Sequence, residues 1–267
     1  MYFVRLLPAL LACLATSIGP APARTPDRCL AVSRAPPPVQ PAAVRAVALA
    51  PAEVRLTFVG HATWLIESSG GVRIATDYND YVRPPVVPDI ATMNRAHATH
   101  YSLFPDPAIS HVLRGWSTGA GPARHDLTMA DVRVRNVATN IRDWGGGLIP
   151  HGNSIFIFEI ASMCIGHLGH LHHTLTEQQV AHIGQLDVVM VAVDGGYTMD
   201  IAGVAETLRT LSARLILPMH YFNQATLNRF LDSVRGEFAV EMAAQPSVVV
   251  SRATLPAEPK VLVLPGN

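Results

Sequence analysis

The order of its apolar segments is the feature that most constrains this chain: short strand-like runs come first, and strands that alternate with helices follow. Apolar and β-branched side chains fill the early runs, and residues 68–71 (Ser-Ser-Gly-Gly) are typical of a hairpin turn. The early strands are predicted at 54–59, 63–67, 72–76, 132–138, 154–160 and 163–166.

Helical periodicity begins in the second half of the chain. Helices are predicted at 176–183, 201–211 and 225–234, strands at 188–193 and 215–217, and closing strands near Phe238, Val248 and Val261. Hairpins followed by alternating strands and helices predict a layered α/β protein in which helices cover the sheets.

Composition excludes several classes of function. The chain is 49% hydrophobic and 15% charged, which predicts a well-filled core rather than disorder. Its formal net charge is zero and its basic residues are scattered, so no nucleic-acid partner is expected. Beyond the first residues no apolar run approaches membrane length, so no membrane span is expected. A small-molecule substrate is the expected partner.

The first 23 residues have the pattern of a signal peptide. Arg5 precedes an apolar run at 6–18, and residues 21–23 (Ala-Pro-Ala) form a small-x-small cleavage site. We therefore expect an exported protein, periplasmic or secreted. A lipoprotein signal that ends at Cys13 is the alternative.

Residues 24–51 are rich in proline and alanine and predict a linker, so the folded domain is expected at 52–267. Outside the signal the sequence has two cysteines, Cys29 and Cys164. Two unpaired thiols are the simpler expectation, and a bridge between them is the alternative.

Twelve histidines stand out in this composition. His97, His100, the group at 167–173 and His220 are expected at strand-to-loop boundaries, which is where ligands converge. Four imidazoles within 167–173 would be costly to bury without partners, and histidine is the commonest zinc ligand. A metal site is therefore predicted, with a solvated loop as the alternative. Ordinary polar roles are expected for His111, His125, His151 and His182.

Six short motifs occur in a fixed order along the chain. They are Gly-His-Ala-Thr at 60–63, Thr-Asp at 76–77, the segment with His97 and His100, His-Leu-Gly at 167–169, Asp-Gly-Gly-Tyr-Thr at 194–198 and Pro-Met-His-Tyr at 218–221. Together they resemble the branch of the metallo-β-lactamase superfamily that includes ascorbate-phosphate lactonases and related zinc-dependent hydrolases. The resemblance implies an αββα sandwich, two mixed sheets flanked by helices, with the metal site at one edge.

The resemblance also implies the ligand motif H-x-H-x-D-H, from which residues 95–100 depart. His97 and His100 remain, whereas Arg95 and Thr99 replace the first histidine and the aspartate. Two further family ligands are also replaced: a later histidine corresponds to Asn140, and the metal-bridging aspartate corresponds to His170. These departures argue against an ordinary dinuclear zinc site.

One metal ion can still be held by His100, His170 and His220, with His97 as a fourth ligand or close neighbour. An all-imidazole site adds no ligand charge, which favours ionisation of bound water near neutral pH. Zinc is expected, one ion per chain, with iron or manganese as alternatives. The sequence pattern does not determine which histidine of the loop at 167–173 faces the metal. The alternatives to His170 as ligand are His167, His172 and His173.

Four other residues are predicted to support the site. Arg95 is a candidate catalytic residue that would bind an anionic substrate or a developing oxyanion, or would fill the space of the missing metal. The resemblance implies that Asp77 orients a ligand histidine, and His61 is expected near the floor of the site. Asp194 is a candidate general base, replacement ligand or turn residue before Gly195.

These features predict an exported metal-dependent hydrolase that cleaves an ester, lactone or phosphoester with a metal-activated water. Two alternatives belong to other classes. One is a relative of the fold that has lost catalysis and acts as a binding protein, and the other is a metal-dependent oxidoreductase.

Overall fold

A computed structural model describes residues 49–94, 97–119, 121–143 and 145–266. The predicted signal peptide and almost all of the predicted linker lie outside these residues. The described elements, in chain order, are β1 (Val54–Gly60), β2 (Thr63–Ser68), β3 (Arg73–Ala75), β4 (Ile90–Met93), β5 (His111–Arg114), β6 (Asp126–Met129), β7 (Val132–Arg142), β8 (Leu148–Ile160), β9 (Met163–His167), α1 (Glu177–Ile183), β10 (Val188–Ala192), α2 (Ile201–Leu211), β11 (Leu215–Met219), α3 (Gln224–Val234), β12 (Ala239–Met242), β13 (Ser247–Val250) and β14 (Lys260–Val263).

The strands form two mixed sheets. One has six strands in the order β13-β1-β2-β3-β4-β5, and the other has eight in the order β12-β14-β11-β10-β9-β8-β7-β6. β3, β4 and β5 are parallel, as are β9, β10 and β11. Because the carboxyl ends of parallel neighbours share one edge of a sheet, the loops after these six strands are held at the rims of the two sheets.

The two sheets pack face to face around an apolar core. Side chains with no solvent exposure from both sheets meet there, including Trp64, Ile66, Phe156 and Phe158. Side chains alternate between the two faces of a strand, and in β1 Val54, Leu56 and Phe58 point into this layer. Burial of these large side chains is the main stabilising contribution to the sandwich.

The three described helices pack on the outer face of the eight-stranded sheet. Ile183, Leu208 and Phe230, one from each helix, join a second apolar cluster with sheet residues such as Val189. On the six-stranded sheet, loop side chains such as Tyr78 and Ile109 cover a smaller cluster. The predicted layered α/β class, two mixed sheets with flanking helices, is confirmed.

Most of the predicted elements match the structure within one or two residues. The sequence offers Thr174 or Thr176 as the cap of the first helix, and the structure has Thr176. Its side chain accepts a hydrogen bond from the backbone of Gln179, while the Gln179 side chain accepts one from the Thr176 backbone. The prediction missed β4, β5 and β6, each of four residues. Such short strands carry too few residues for a periodic pattern to be read.

Cys164 corrects one expectation. It lies in β9, is 3% exposed and is disulfide-bonded, so the expectation of two unpaired thiols is wrong. The other cysteines of the sequence, Cys13 and Cys29, lie outside the described residues.

Across the described ranges, no helix combines the length and apolar character that crossing a bilayer needs.

Truncation of a side chain between the sheets should destabilise the fold. Phe158→Ala should lower the free energy of unfolding by about 3–5 kcal/mol, because the buried ring leaves a cavity. Val249→Ala, at a position 41% exposed, is the control and should change it by about 0.5 kcal/mol. Urea unfolding would measure both; equal midpoints for the two variants would contradict this account of the core.

Candidate metal centre

Histidines from both sheets meet at the shared edge of the sandwich. His61 follows β1, His97 and His100 follow β4, and His220 follows β11. One ligand atom from each of these four residues lies within 4.8 Å of those of the other three. The sequence predicted three of the four as ligands and placed His61 only near the floor of the site. Four imidazoles this close together are a suitable donor set for zinc.

His100 is oriented by a buried carboxylate. Its Nδ1 donates to Asp77 Oδ2 at 2.5 Å, and Asn94 Nδ2 donates to Asp77 Oδ1 at 2.9 Å. His100 and Asp77 have no solvent exposure. Burial raises the pKa of Asp77 to about 6, which leaves it mostly ionised at neutral pH and able to accept both bonds. With Nδ1 protonated, neutral His100 carries a lone pair on Nε2.

His220 is oriented in the same way by Asp194. His220 Nδ1 donates to Asp194 Oδ2 at 3.1 Å, and Asp194 Oδ1 accepts backbone N–H groups of Gly196, Tyr197 and Thr198. Burial opposes ionisation of Asp194, but the hydrogen bonds from His220 and Thr198 outweigh it and lower the pKa of its carboxyl. Asp194 therefore organises a turn and holds His220 at once, while its predicted role as general base stays a prediction.

The free nitrogens of the two oriented rings face each other. His100 Nε2 and His220 Nε2 are 3.2 Å apart. In the tautomers that the two carboxylates impose, neither nitrogen carries a hydrogen, so two buried lone pairs point at one another. Two ligands of a tetrahedral zinc ion, each about 2.0–2.1 Å from the metal, lie about 3.3 Å apart. The pair thus fits a bound cation, which would satisfy both lone pairs.

Burial disfavours the charged form of four histidines at the site. It lowers the pKa of His61 to about 3, and it lowers the pKa of His97, His100 and His170 as well, with repulsion among the rings as a further cause. Neutral imidazoles are the form that binds metals, so these rings need no proton loss before a metal enters.

His170 lies against the cluster and is linked to the surface through His172. The backbone N–H of Arg142 donates to His172 Nδ1 at 2.9 Å, so neutral His172 carries its hydrogen on Nε2, which donates to His170 Nδ1 at 2.5 Å. Burial and the nearby Arg142 lower the pKa of His172 to about 4, which supports the neutral form. His170 then carries its own hydrogen on Nε2, 3.1 Å from His97 Nε2. Its predicted role as a ligand stays a prediction.

The chain of hydrogen bonds continues through Thr99. With His97 Nε2 accepting from His170, His97 Nδ1 carries the hydrogen and donates to Thr99 Oγ1 at 2.7 Å. The Thr99 hydroxyl is then free to donate to His61 Nε2 at 2.9 Å. The residue that replaces the family aspartate therefore links two histidines, a role that the sequence did not indicate.

Two of the three alternative ligands have both ring nitrogens occupied. His167 Nε2 donates to Ala62 O at 2.9 Å, and its Nδ1 accepts from Gly169 N. His173 Nδ1 donates to Thr174 O, and its Nε2 accepts from Asn140 N. Neither ring presents a free lone pair toward the cluster. His172, the third alternative, contacts His170.

Three site residues adopt left-handed backbone conformations. The φ angles are +51° at His61, +42° at Asp77 and +57° at His220. Residues other than glycine rarely adopt this region, and such strain persists where the surroundings enforce it. At His220 the enforcing contact is visible, because its backbone N–H donates to His61 O at 2.7 Å.

Two asparagines that the sequence did not indicate, Asn94 and Asn153, stabilise the site through hydrogen bonds to backbone groups. Asn94 Oδ1 accepts the backbone N–H of Ser154, and Asn153 Oδ1 accepts that of His170. Asn94 directly follows β4, so position after a buried strand was the signal that could have identified it. Asn140 lies where the β7–β8 pairing shifts, and its side chain accepts the His151 N–H. Arg95 lies outside the described residues.

Two exposed aromatic rings flank the cluster. Phe222 is 56% exposed, and its ring centroid lies 5.5 Å from that of His220 and 6.1 Å from that of His61. Tyr197, 55% exposed, contacts Phe222 edge to face at 5.4 Å. The histidines therefore adjoin an apolar, accessible surface.

Comparison with known proteins identifies related sequences and folds. The family described as the beta-lactamase superfamily domain matches residues 55–220. A "UPF0173 metal-dependent hydrolase" of Methanoculleus marisnigri is 24% identical over 182 residues, covering 63% of this chain and 81% of the relative. A protein of the same description from Archaeoglobus fulgidus is 23% identical over 193 residues, covering 63% and 83%.

Solved structures share the fold. A Thermotoga maritima protein, described among the zinc-dependent hydrolases of the metallo-β-lactamase superfamily, is 27% identical with a TM-score of 0.57, covering 79% of this chain and 98% of its own. A metallo hydrolase from Ignicoccus hospitalis is 19% identical with a TM-score of 0.54, covering 80% and 97%, and shows likeness of fold alone.

Replacement of the carboxylate behind His100 should weaken metal binding. Asp77→Asn should reduce zinc affinity about 10–100-fold, because the amide no longer imposes the tautomer that leaves Nε2 unprotonated. Competition with a chromogenic chelator would measure the affinity. Asp232→Asn, at a carboxylate whose side chain is 73% exposed, is the matched control and should bind as the wild type does. Unchanged affinity in Asp77→Asn would argue against His100 as a ligand.

Proposed function

Because the chain belongs to the beta-lactamase superfamily domain family and is a metal-dependent hydrolase of the metallo-β-lactamase superfamily, we propose that it cleaves an ester, lactone or phosphoester at the histidine cluster. The facing Nε2 atoms of His100 and His220 are the single observation that carries this proposal. They form a preorganised pair of ligands, each with its own carboxylate.

The chain's own residues would hold one zinc ion through His100 and His220, with further imidazoles from His61 and His97. When bound, zinc supplies a Lewis acid and a source of hydroxide near neutral pH. His61 and His97 each accept one hydrogen bond at Nε2, which either ring gives up when that nitrogen binds a metal. His170 enters the proposal as a further ligand or as the hydrogen-bond donor to His97.

The surroundings of the cluster support an organic substrate. Phe222 and Tyr197 offer apolar surface beside the ligands, suited to the non-reacting part of an ester or lactone. The buried sides of His100 and His220 are occupied by protein, so a substrate would approach from the side of the exposed rings. Because the fold does not determine the substrate, these contacts would set the preference among esters, lactones and phosphoesters.

Metal content and hydrolysis test the proposal together. We expect about one zinc ion per purified chain, and its loss in the His100→Ala, His220→Ala double variant, because the two oriented lone pairs are gone. His182→Ala, at an exposed helical histidine, is the matched control. Elemental analysis would measure the metal, and p-nitrophenyl acetate, dihydrocoumarin and bis(p-nitrophenyl) phosphate would represent the three substrate classes.

Hydrolysis that disappears with the metal in the double variant and persists in His182→Ala would support the proposal. A chain that binds no metal after reloading with zinc or manganese would contradict it and favour the binding-protein alternative. Iron in place of zinc, with no hydrolysis, would favour the oxidoreductase alternative.

Export from the cytoplasm is the second part of the proposal. The pattern of residues 1–23 supports it, and so does the disulfide-bonded state of Cys164, because disulfides persist in oxidising compartments. In a bacterial host we expect the mature chain to begin at Arg24, as measured by intact mass. Alkylation in denaturant should label Cys164 only after reduction; labelling without reductant, or an uncleaved chain, would contradict export.

A further inference from the structure

A groove of about 520 Å³ opens at the lateral side of the sandwich. Its walls include Arg114 and Trp116, at and just after the end of β5, and Arg124 and His125, just before β6. β5 and β6 are the edge strands of the two sheets, so the groove lies where the sheets are not closed by a further strand. None of its lining residues belongs to the cluster described above.

The groove carries uncompensated positive charge. Arg114 and Arg124 are both exposed, and within the described ranges neither guanidinium has a hydrogen bond or carboxylate partner. The nearby Asp126 is held instead by Arg133, through bonds of 2.8 and 3.0 Å. Two free guanidinium groups that line one groove are suitable partners for a carboxylate or phosphate group.

The walls are held in place without a ligand. His125 Nε2 donates to Arg114 O at 2.8 Å, which ties one wall to the other. The backbone N–H of His125 donates to Asn136 Oδ1, and Asn136 Nδ2 donates to Ala123 O. The half-buried Trp116 packs on Tyr101 and presents ring surface to the groove. Such preorganisation lowers the entropic cost of binding.

Short contacts connect the groove to the histidine cluster. Gly115, between the groove residues Arg114 and Trp116, donates its N–H to Met93 O and accepts from Ser154 Oγ. A Cβ at Gly115 would lie 2.7 Å from Asn94 Oδ1, so only glycine allows this approach. Asn94 in turn bonds Asp77, the partner of His100. The groove and the cluster therefore share one edge of the sandwich.

We propose that this groove binds an anionic group of the substrate, a carboxylate or a phosphate, while the bond to be cleaved lies at the cluster. Arg114 and Arg124 would pair with the charge, and Trp116 would contact an adjoining ring or chain. The inference rests on the proposed function and adds to it the substrate class: an ester, lactone or phosphoester with a second, anionic end.

Direct binding tests the groove independently of catalysis. Benzoate and phenyl phosphate, titrated by calorimetry at low salt, separate carboxylate from phosphate recognition, and benzyl alcohol is the neutral probe. We expect at least one anion to bind. Its affinity should fall roughly tenfold or more in the double variant Arg114→Gln, Arg124→Gln. Arg73→Gln is the matched control, because Arg73 is an exposed arginine in the interior strand β3 and does not line the groove. Binding should persist in His100→Ala, His220→Ala.

Equal affinity of the wild type and the arginine double variant for both anions, or the same loss in Arg73→Gln, would overturn the inference. Binding as tight for benzyl alcohol would overturn it too, since charge would then play no part.

Hydrolysis separates this failure from that of the proposed function. In the arginine double variant, KM for a carboxylate-bearing aryl ester should rise roughly tenfold while kcat and the kinetics of p-nitrophenyl acetate stay unchanged. Hydrolysis with no such selective change in KM would contradict the proposed role of the groove and leave the proposed function intact. Arginine-dependent anion binding without hydrolysis of any ester would contradict the proposed function and support the groove as an anion site.

Discussion

Two buried histidine–carboxylate pairs, whose free nitrogens face each other at 3.2 Å, are the constraint on which the site depends. Asp77 and His100 come from the six-stranded sheet, whereas Asp194 and His220 come from the eight-stranded sheet. Each carboxylate fixes the proton of its imidazole on Nδ1 and so leaves a lone pair on Nε2. A buried acceptor without a donor costs about 1–3 kcal/mol. A cation that binds both lone pairs would remove this cost, so the folded chain favours cation binding at this edge.

That constraint explains the irregular backbone around the cluster. His61 and His220 adopt positive φ directly after strands, and Asp77 does so two residues after β3. This conformation interrupts regular strand geometry at each of the three residues. The packed core makes this strain tolerable, because the strands that precede these residues are held by ladders on both sides. A metal that binds only the folded chain would add stability in proportion to its affinity.

Much of the fold could be predicted from the sequence because long apolar strands and capped helices carry their own periodic signal. The hairpin of β2 and β3 and the helix α2 at Ile201–Leu211 are examples. The strands β4, β5 and β6 were missed because four residues hold too little pattern. Yet β4 positions His97 and His100. Because local propensity did not indicate this strand, the placement of the two histidines after a strand was inferred from the motif.

The sequence by itself determined the longer strands and the helices, because periodicity is a local property. It also predicted that histidines would gather where strands end. It predicted roles at the site for Asp77, His100 and His220 through motifs of fixed order. Only the tertiary structure decided which rings face inward. In the loop at 167–173, a contact with Ala62, sequentially remote, occupies His167, and the backbone of Arg142 orients His172 toward His170. Such contacts join residues 30 to 105 positions apart, and no local pattern encodes the direction of a hydrogen bond across that separation.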